Sequence, residues 1–348
     1  MDNAPTQFPV RFPAEWEPQS GAQLTWPHED TDWRDVLDEV IPCFAAIARE
    51  IAARERLIVA CRDVETVRRQ LGETSSPPNV RLFEVPSNDT WARDHGPINV
   101  LENGQPRLLD FTFNGWGMKF AAGLDNQITR ALHRQDAFRP GVALCNCQHL
   151  VLEGGSVESD GAGTILTTEA CLLSPNRNDH CAKAELEAFF GQALGARRFL
   201  WLSSGYLAGD DTDSHVDTLA RLCDARTIAY VRCDDPADEH FEALRRMETE
   251  LRAFRTLDGR PYDLVPLPMA EPVFDGGQRL PATYANFLIV NGAVLMPTYG
   301  SRRDGEAAAQ LRRVFPDREV VGVPCLPLVK QHGSLHCVTM QYPEGFLS

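Results

Sequence analysis

Thr227-Ile228-Ala229-Tyr230-Val231, followed from Asp238 to Phe254 by a stretch with Phe241, Leu244, Met247, Leu251 and Phe254 in register, carries the pattern on which the fold turns. The first part is a short β-branched and aromatic run of the kind that fills a buried strand. In the second, apolar residues recur at three-and-four spacing, which gathers them on one face of a helix. One strand followed by one helix is therefore predicted.

The pattern repeats outward in both directions. Helical spacing runs through Leu124 to Gln135, Asp179 to Leu194 and Asp304 to Phe315, and earlier through Leu37, Val40, Ile41, Phe44, Ile47 and Ile51, where Pro42 predicts a kink. A shorter helix is predicted near Val64 to Leu71. Strand-like runs at Leu57–Ala60, Val80–Val85, Thr164–Thr167 and Phe287–Val290 lie between them, so the chain reads as α/β. The last four principal helices centre near residues 129, 186, 247 and 310, which are 57, 61 and 63 apart. A unit of about sixty residues has room for one helix and three strands. No Pro/Gly/Ser-rich linker divides the chain, so residues 1–348 read as a single domain.

With 348 residues and 43% hydrophobic content the chain can bury a large core. Its formal net charge of −15 argues against nucleic acid or an anionic membrane surface as partner and favours the approach of a cationic ligand. The first twenty residues hold Pro5, Pro9 and Pro13 among charged groups and lack the apolar core of a signal peptide. Apolar runs such as Ala293–Pro297 fall far short of the roughly 18 residues a membrane span needs. A cytoplasmic protein is expected, with its ten scattered cysteines reduced and mostly buried.

Four polar clusters carry the chemistry. In Asn88 to Pro97, Trp91 stands three residues before Asp94, which suits an aromatic stacked on a cation that a carboxylate pairs. In Leu152-Glu153-Gly154-Gly155-Ser156 an acid ends an apolar run and two glycines admit a ligand close to the backbone. In Gly209 to Asp217, His215 and Asp217 are two apart in a predicted strand and so face the same side, as an acid/base and its orienting carboxylate would. In Gly333 to Met340, Cys337 heads an apolar β-type run and is the candidate nucleophile. Strand alternation turns the adjacent His336 away from it, so its acid/base should come from elsewhere.

A different class of function is also open. The acids around Asp211 could bind calcium, giving a calcium-dependent binding propeller, although Val216 and Leu222 replace the glycine and glutamate of the EF-hand loop. Cys145-Asn146-Cys147-Gln148-His149 is a weak zinc candidate without a second ligand pair. Against these, Asp94, Glu153, His215 and Cys337 are separated by 59, 62 and 122 residues, the last being twice 61, in step with the helices. Units set as blades around one axis would bring equivalent strand ends, and these residues, together.

The sequence resembles the agmatine deiminase and bacterial peptidylarginine deiminase family of the guanidino-group-modifying enzymes. The likeness spans nearly the whole chain: Trp16-Glu17-Pro18-Gln19, Thr25-Trp26-Pro27, Trp91-Ala92-Arg93-Asp94, Leu152-Glu153-Gly154-Gly155-Ser156, Asn176-Arg177-Asn178, His215-Val216-Asp217, Ala285-Asn286-Phe287 and His336-Cys337. It implies a five-bladed α/β propeller of ββαβ units with pseudo-five-fold symmetry. It also implies hydrolysis of agmatine to N-carbamoylputrescine and ammonia through a covalent cysteine thiouronium intermediate, with deimination of another guanidine, such as a peptidyl-arginine, as the alternative. On that resemblance Cys337 attacks the guanidinium carbon, Asp94 and Asp217 hold its nitrogens and His215 is the acid/base. Glu153 sits beside His215, while Trp91 and Asp211 contact a small cationic guanidine substrate. No metal or organic cofactor is implied, and a homo-oligomer is compatible with the reading. The sequence departs from the family at Gln331-His332-Gly333-Ser334-Leu335, where a glycine run with asparagine is common, and at Asp213-Ser214, where asparagine or aspartate followed by glycine is usual.

Overall fold

The computed structural model describes residues 9–75 and 79–348, so Pro5 lies outside the described residues. The helix predicted from the periodicity around residue 247 forms as Phe241–Ala253, with Leu244, Met247 and Leu251 buried on one face. Each such side chain contributes roughly 1.5–3 kcal/mol when taken out of water. Asp238 accepts the backbone N–H of His240 just before the helix, and Phe254 stops it by turning extended, at φ −65° and ψ 152°.

This helix is a crossover. The strand before it, Thr227–Arg232, runs antiparallel to Ala220–Leu222 and parallel to the strand after it, Asp263–Pro268. A parallel neighbour requires such a connection, whereas an antiparallel one does not. Four other sheets repeat the order of an antiparallel pair, a helical crossover and a parallel strand. Their first strands are Ile98–Glu102, Val157–Ser159, Leu288–Val290 and Thr339–Pro343. The crossovers contain the helices Ile128–Arg134, Lys183–Ala193, Asp304–Val314 and Leu37–Ala52, so the predicted helices all form and Val64–Leu71 forms within its expected bounds. The Leu37–Ala52 helix is assigned as one element across Pro42.

The architecture is thus mixed α/β with several small sheets, and the core is divided among four apolar clusters within the described residues. One sheet is completed from both chain ends: Thr339–Pro343 pairs antiparallel with Gln19–Thr25, Thr339 opposite Leu24. A two-stranded hairpin, Val273–Asp275 with Gln278–Leu280, is inserted ahead of the sheet that begins at Leu288. Among the described residues no helix is long and apolar enough to cross a membrane.

Candidate active site

The chemistry-bearing residues occupy one recurring place, the short irregular segment just before the first strand of each sheet. Asp94 lies in the one-turn helix Ala92–His95 before Ile98–Glu102, and Glu153 opens the 3-10 turn Gly154–Ser156 before Val157–Ser159. His215 and Asp217 flank and join the 3-10 turn Val216–Thr218 before Ala220–Leu222. Cys337 lies on the turn at Leu335–Val338, immediately before Thr339–Pro343. The unit skipped by the sequence spacing supplies Asn286, just before Leu288–Val290.

Two expectations about local structure are corrected here. His215 and Asp217 are not in a strand, because Val216–Thr218 curls into a turn closed by the N–H of Leu219 on the carbonyl of Val216. Cys337 likewise precedes its strand, so turn geometry, not pleat alternation, separates it from His336. The outcome for His336 is nevertheless as expected: its ring nitrogens face Asp217 and Glu15.

Gly155 shows how closely the groups converge. A Cβ there would sit 2.5 Å from His215 Nδ1, 2.9 Å from Asp94 Oδ1 and 3.2 Å from Asp217 Oδ2, so only glycine leaves the space unfilled. Its own N–H donates to Asp94 Oδ1 at 3.1 Å, and the Trp116 indole donates to Oδ2 at 3.0 Å. Cys337 accompanies them through Asn286, whose Oδ1 accepts the backbone N–H of Cys337 at 3.3 Å and lies 3.4 Å from Sγ. His215 Nε2 faces Glu153 Oε2 at 3.0 Å, and Arg177 Nε donates to both oxygens of Glu153, at 3.1 and 2.9 Å. Two buried polar atoms at this centre lack a hydrogen-bond partner, His215 Nδ1 and Asp217 Oδ1.

Burial sets the electrostatics. It raises Asp94 to about 6, with His215 pulling down and Asp217 and Glu153 pushing up. For His215 burial opposes the charge, but Asp94, Cys171 and Glu153 outweigh it and hold the imidazole well above its ordinary range. Glu153 is held down against burial by His215 and Arg177, and Asp217 by His336. Burial, then Asp217 and Asp94, push the Cys337 thiol far above its usual value.

A cavity of about 140 Å³ opens onto this centre. Its floor reaches Asp94 and Cys337; Trp91, Trp116 and Phe120 form aromatic walls, and Asp32, Asp89 and Asp211 add carboxylates. Among the described residues no Arg or Lys lines it. Gln331, His332 and Gly333 complete the wall. Glu153, His215 and Asp217 do not line the cavity and stand behind Asp94 and Cys337.

Sequence reasoning did not single out Trp116, Phe120 or Cys171, and gave no role to Arg177, Asn286 or His336. Asn286 could have been found from the repeat, for it falls in the unit that the doubled gap of 122 leaves empty; the inserted hairpin displaces it from the expected midpoint. Trp116 lies four residues beyond the end of the strand Gln105–Thr112, outside the segments that precede the first strands, and its backbone adopts φ 55°, a conformation that an aromatic residue seldom signals.

The acidic loop is engaged with the protein itself. Asp210 accepts from Thr212 and Ser214, while Asp213 pairs with Lys119 at 2.8 Å and Arg177 at 2.6 Å. Among the described residues two buried donor sets have metal-like proximity, Glu153–Cys171–His215 and Glu15–Glu158–His336, and each already carries an arginine, Arg177 or Arg221. Cys145 and Cys147 share one strand, where Cys145 receives an Arg107 N–H and Cys147 packs into the core.

Known proteins resemble the chain over its whole length. The family model of the Porphyromonas-type peptidyl-arginine deiminase matches residues 11–343. An agmatine deiminase from Stutzerimonas stutzeri is 34% identical, with 100% of this chain and 99% of the relative covered. The crystal structure of a Porphyromonas gingivalis protein superposes with a TM-score of 0.94 at 57% identity, covering 97% of this chain and all of that one. A C. jejuni agmatine deiminase with substrate bound gives a TM-score of 0.90 at 34% identity, with 97% of each chain covered. The chain belongs to the Porphyromonas-type peptidyl-arginine deiminase family.

Proposed function

We propose that the protein is an agmatine deiminase, hydrolysing agmatine to N-carbamoylputrescine and ammonia. The observation that carries this reading is the pocket: a thiol at its floor, carboxylates and aromatics around it, and no basic side chain of Arg or Lys among its described lining residues. A guanidinium is planar, always cationic and a poor electrophile, so a site for it needs carboxylates in fixed orientation. Asp94 and Asp217 take its N–H groups, Trp91 and Trp116 stack along it, and Asp211 lies toward the distal amine.

Cys337 adds to the guanidinium carbon as the thiolate. The bound cation, set between Asp94 and Asp217, offsets the two charges that raise the thiol, so substrate promotes its own attack. His215, protonated at neutral pH beside Asp94 and Glu153, gives its proton to the departing ammonia. The remaining thiouronium keeps the C–S bond. Neutral His215 then takes a proton from water as the hydroxyl adds to the carbon, the C–S bond breaks with Sγ leaving as the thiolate, and the hydroxyl proton passes to solvent, where it protonates the released ammonia, leaving the urea product. Glu153, locked by Arg177, orients the imidazole throughout.

The five sheets are read as five blades of one propeller domain spanning the chain, with their leading segments meeting at the axis. Ten free cysteines favour a reducing, cytoplasmic setting, and the net charge of −15 weighs against nucleic acid. Ammonia release is measured with agmatine, free arginine and arginine peptides, each in excess chelator. Agmatine is expected to be turned over with the highest kcat/KM, and Cys337→Ala to abolish turnover. Full activity in Cys337→Ala, or activity dependent on calcium, would refute the proposal.

A further inference from the structure

His336, the residue before the proposed nucleophile, rests both ring nitrogens on carboxylates. Nδ1 is 2.7 Å from Asp217 Oδ2 and Nε2 is 2.7 Å from Glu15 Oε2, with the residue 2% exposed. A neutral imidazole has one N–H and one lone pair, so one of these contacts would set a lone pair against a carboxylate oxygen. Both are satisfied together when the ring is an imidazolium that donates twice. Neither acid is placed to supply the missing proton. Burial opposes ionisation of each, yet apart from His336 itself the guanidiniums of Arg221 and Arg93 favour the Glu15 carboxylate, and His215 and Arg221 favour that of Asp217.

Of the other charges that face the ring, the Arg221 and Arg93 guanidiniums oppose a second cation, and the carboxylates of Glu15, Glu158 and Asp217 outnumber them. Arg221 Nη2 donates to the same Glu15 oxygen at 2.9 Å and lies 3.1 Å from His336 Nε2, so two donors converge on one acceptor. Arg93 Nη2 lies 3.9 Å from that oxygen, and Glu158 pairs with Arg221. On the other side of Asp217 stand His215 and the Cys337 thiol. Because His336 occupies Oδ2 of Asp217, the oxygen without a hydrogen-bond partner is Oδ1, buried behind Asp94 and Cys337 and left to take a guanidinium N–H that reaches past them.

We infer that His336 is a positioning residue, a doubly donating imidazolium anchored on Glu15 that fixes the Asp217 carboxylate with Oδ1 presented to the substrate. The role rests on the reading of Asp217 as a guanidinium ligand; the state of the ring does not, and is tested without turnover. Nitrogen-15 NMR of the histidine-labelled free protein at pH 8 is expected to show a ring with both nitrogens protonated. The Glu15→Gln variant, which keeps an acceptor for Nε2–H, assigns that signal by moving it. A bare nitrogen on His336 at pH 8 would overturn the proposal.

Kinetics give the second readout. His336→Asn keeps one N–H donor and loses the charge, so KM for agmatine is expected to rise at least about tenfold, the loss of one charge-assisted hydrogen bond. The acid limb of kcat/KM should also steepen from one proton to two, as Asp217 begins to titrate alongside Asp94. A folded His336→Asn protein with wild-type KM and an unchanged limb would overturn the proposal, and if that variant does not fold the NMR result alone decides it. Absence of any turnover of agmatine by the wild type would instead count against the proposed function and leave the NMR result standing.

Discussion

Asp94 Oδ1 and His215 Nδ1 lie 3.6 Å apart in the buried centre, with Gly155 packed against both and no side chain between them. The carboxyl is raised to about 6 and must be ionised to pair with a guanidinium, so kcat/KM for agmatine should fall as pH drops through about 6. Asp94→Asn should lose this limb and lower kcat/KM by about ten- to a hundredfold, the loss of one charge-assisted hydrogen bond. Steady-state rates between pH 5 and 8 check both.

The same shift has a stability consequence of opposite sign to its catalytic one. A carboxyl whose folded pKa is raised from 3.8 to about 6 stabilises the fold while protonated, and that stabilisation is lost as pH rises through about 6. Ionised Asp94 at pH 8 is therefore a burden on the free enzyme. Asp94→Asn removes it but can satisfy only one of the Gly155 and Trp116 N–H donors, so a net gain of about 1–2 kcal/mol is expected at pH 8, shrinking toward pH 4. Urea denaturation at the two pH values tests this, and a variant less stable than wild type at pH 8 would contradict it.

Gly333 and Trp91 offer a test of binding apart from chemistry. A Cβ at Gly333 would come 2.0 Å from the Trp91 ring, and that ring is wedged between Trp33 at 5.5 Å and Trp116 at 6.1 Å. Gly333→Ala must displace the indole and with it one wall of the pocket. KM for agmatine should rise about tenfold or more while kcat stays within about threefold, since removing uniform binding spares the chemical step. A fall in kcat with unchanged KM would place Trp91 in another role.

Arg177 ties Glu153 to Asp213, and it is 1% exposed on its side chain. Arg177→Met leaves a buried carboxylate without its cation, a change worth about 3–5 kcal/mol of stability. Chemical denaturation near pH 7.5 should show that loss. Arg177→Lys, which can restore one contact but not the paired Nε bonds, should fall between the variant and the wild type.

Much of this arrangement was legible because helices announce themselves. Leu244, Met247 and Leu251 bury one face, and their spacing placed the crossovers and the repeat. The repeat in turn located Asp94, Glu153, His215 and Cys337. Short first strands such as Ala220–Leu222 hold three residues, too few for a period-2 pattern, so the turns before them were misread as strand. Arg177 and Glu15 tie the site together through side-chain hydrogen bonds to Glu153 and His336, 24 and 321 positions away in the chain, for which spacing gives no signal, whereas Asn286 was displaced from the period by the inserted hairpin.

Ser214 is held in a backbone conformation that a side chain disfavours. Asp213 and Ser214 adopt consecutive left-handed conformations, at φ 63° and 65°, a place that suits glycine. A residue with a Cβ loses about 1–2 kcal/mol in that conformation relative to glycine, partly offset because glycine leaves more freedom to the unfolded chain. The contacts that hold Ser214 are made by its backbone: its N–H donates to Asp210 Oδ2 at 2.7 Å and its carbonyl accepts from Thr168 at 2.8 Å. Ser214→Gly keeps both and should stabilise the protein by about 0.5–1 kcal/mol, whereas Ser214→Val, branched at Cβ, should destabilise it by at least about 1 kcal/mol. Thermal melts of the two variants check the order. Because Asp213 next door pairs with Arg177, and Arg177 with Glu153, the valine variant should also lower kcat; equal melting temperatures for all three proteins would show that Ser214 carries no backbone strain.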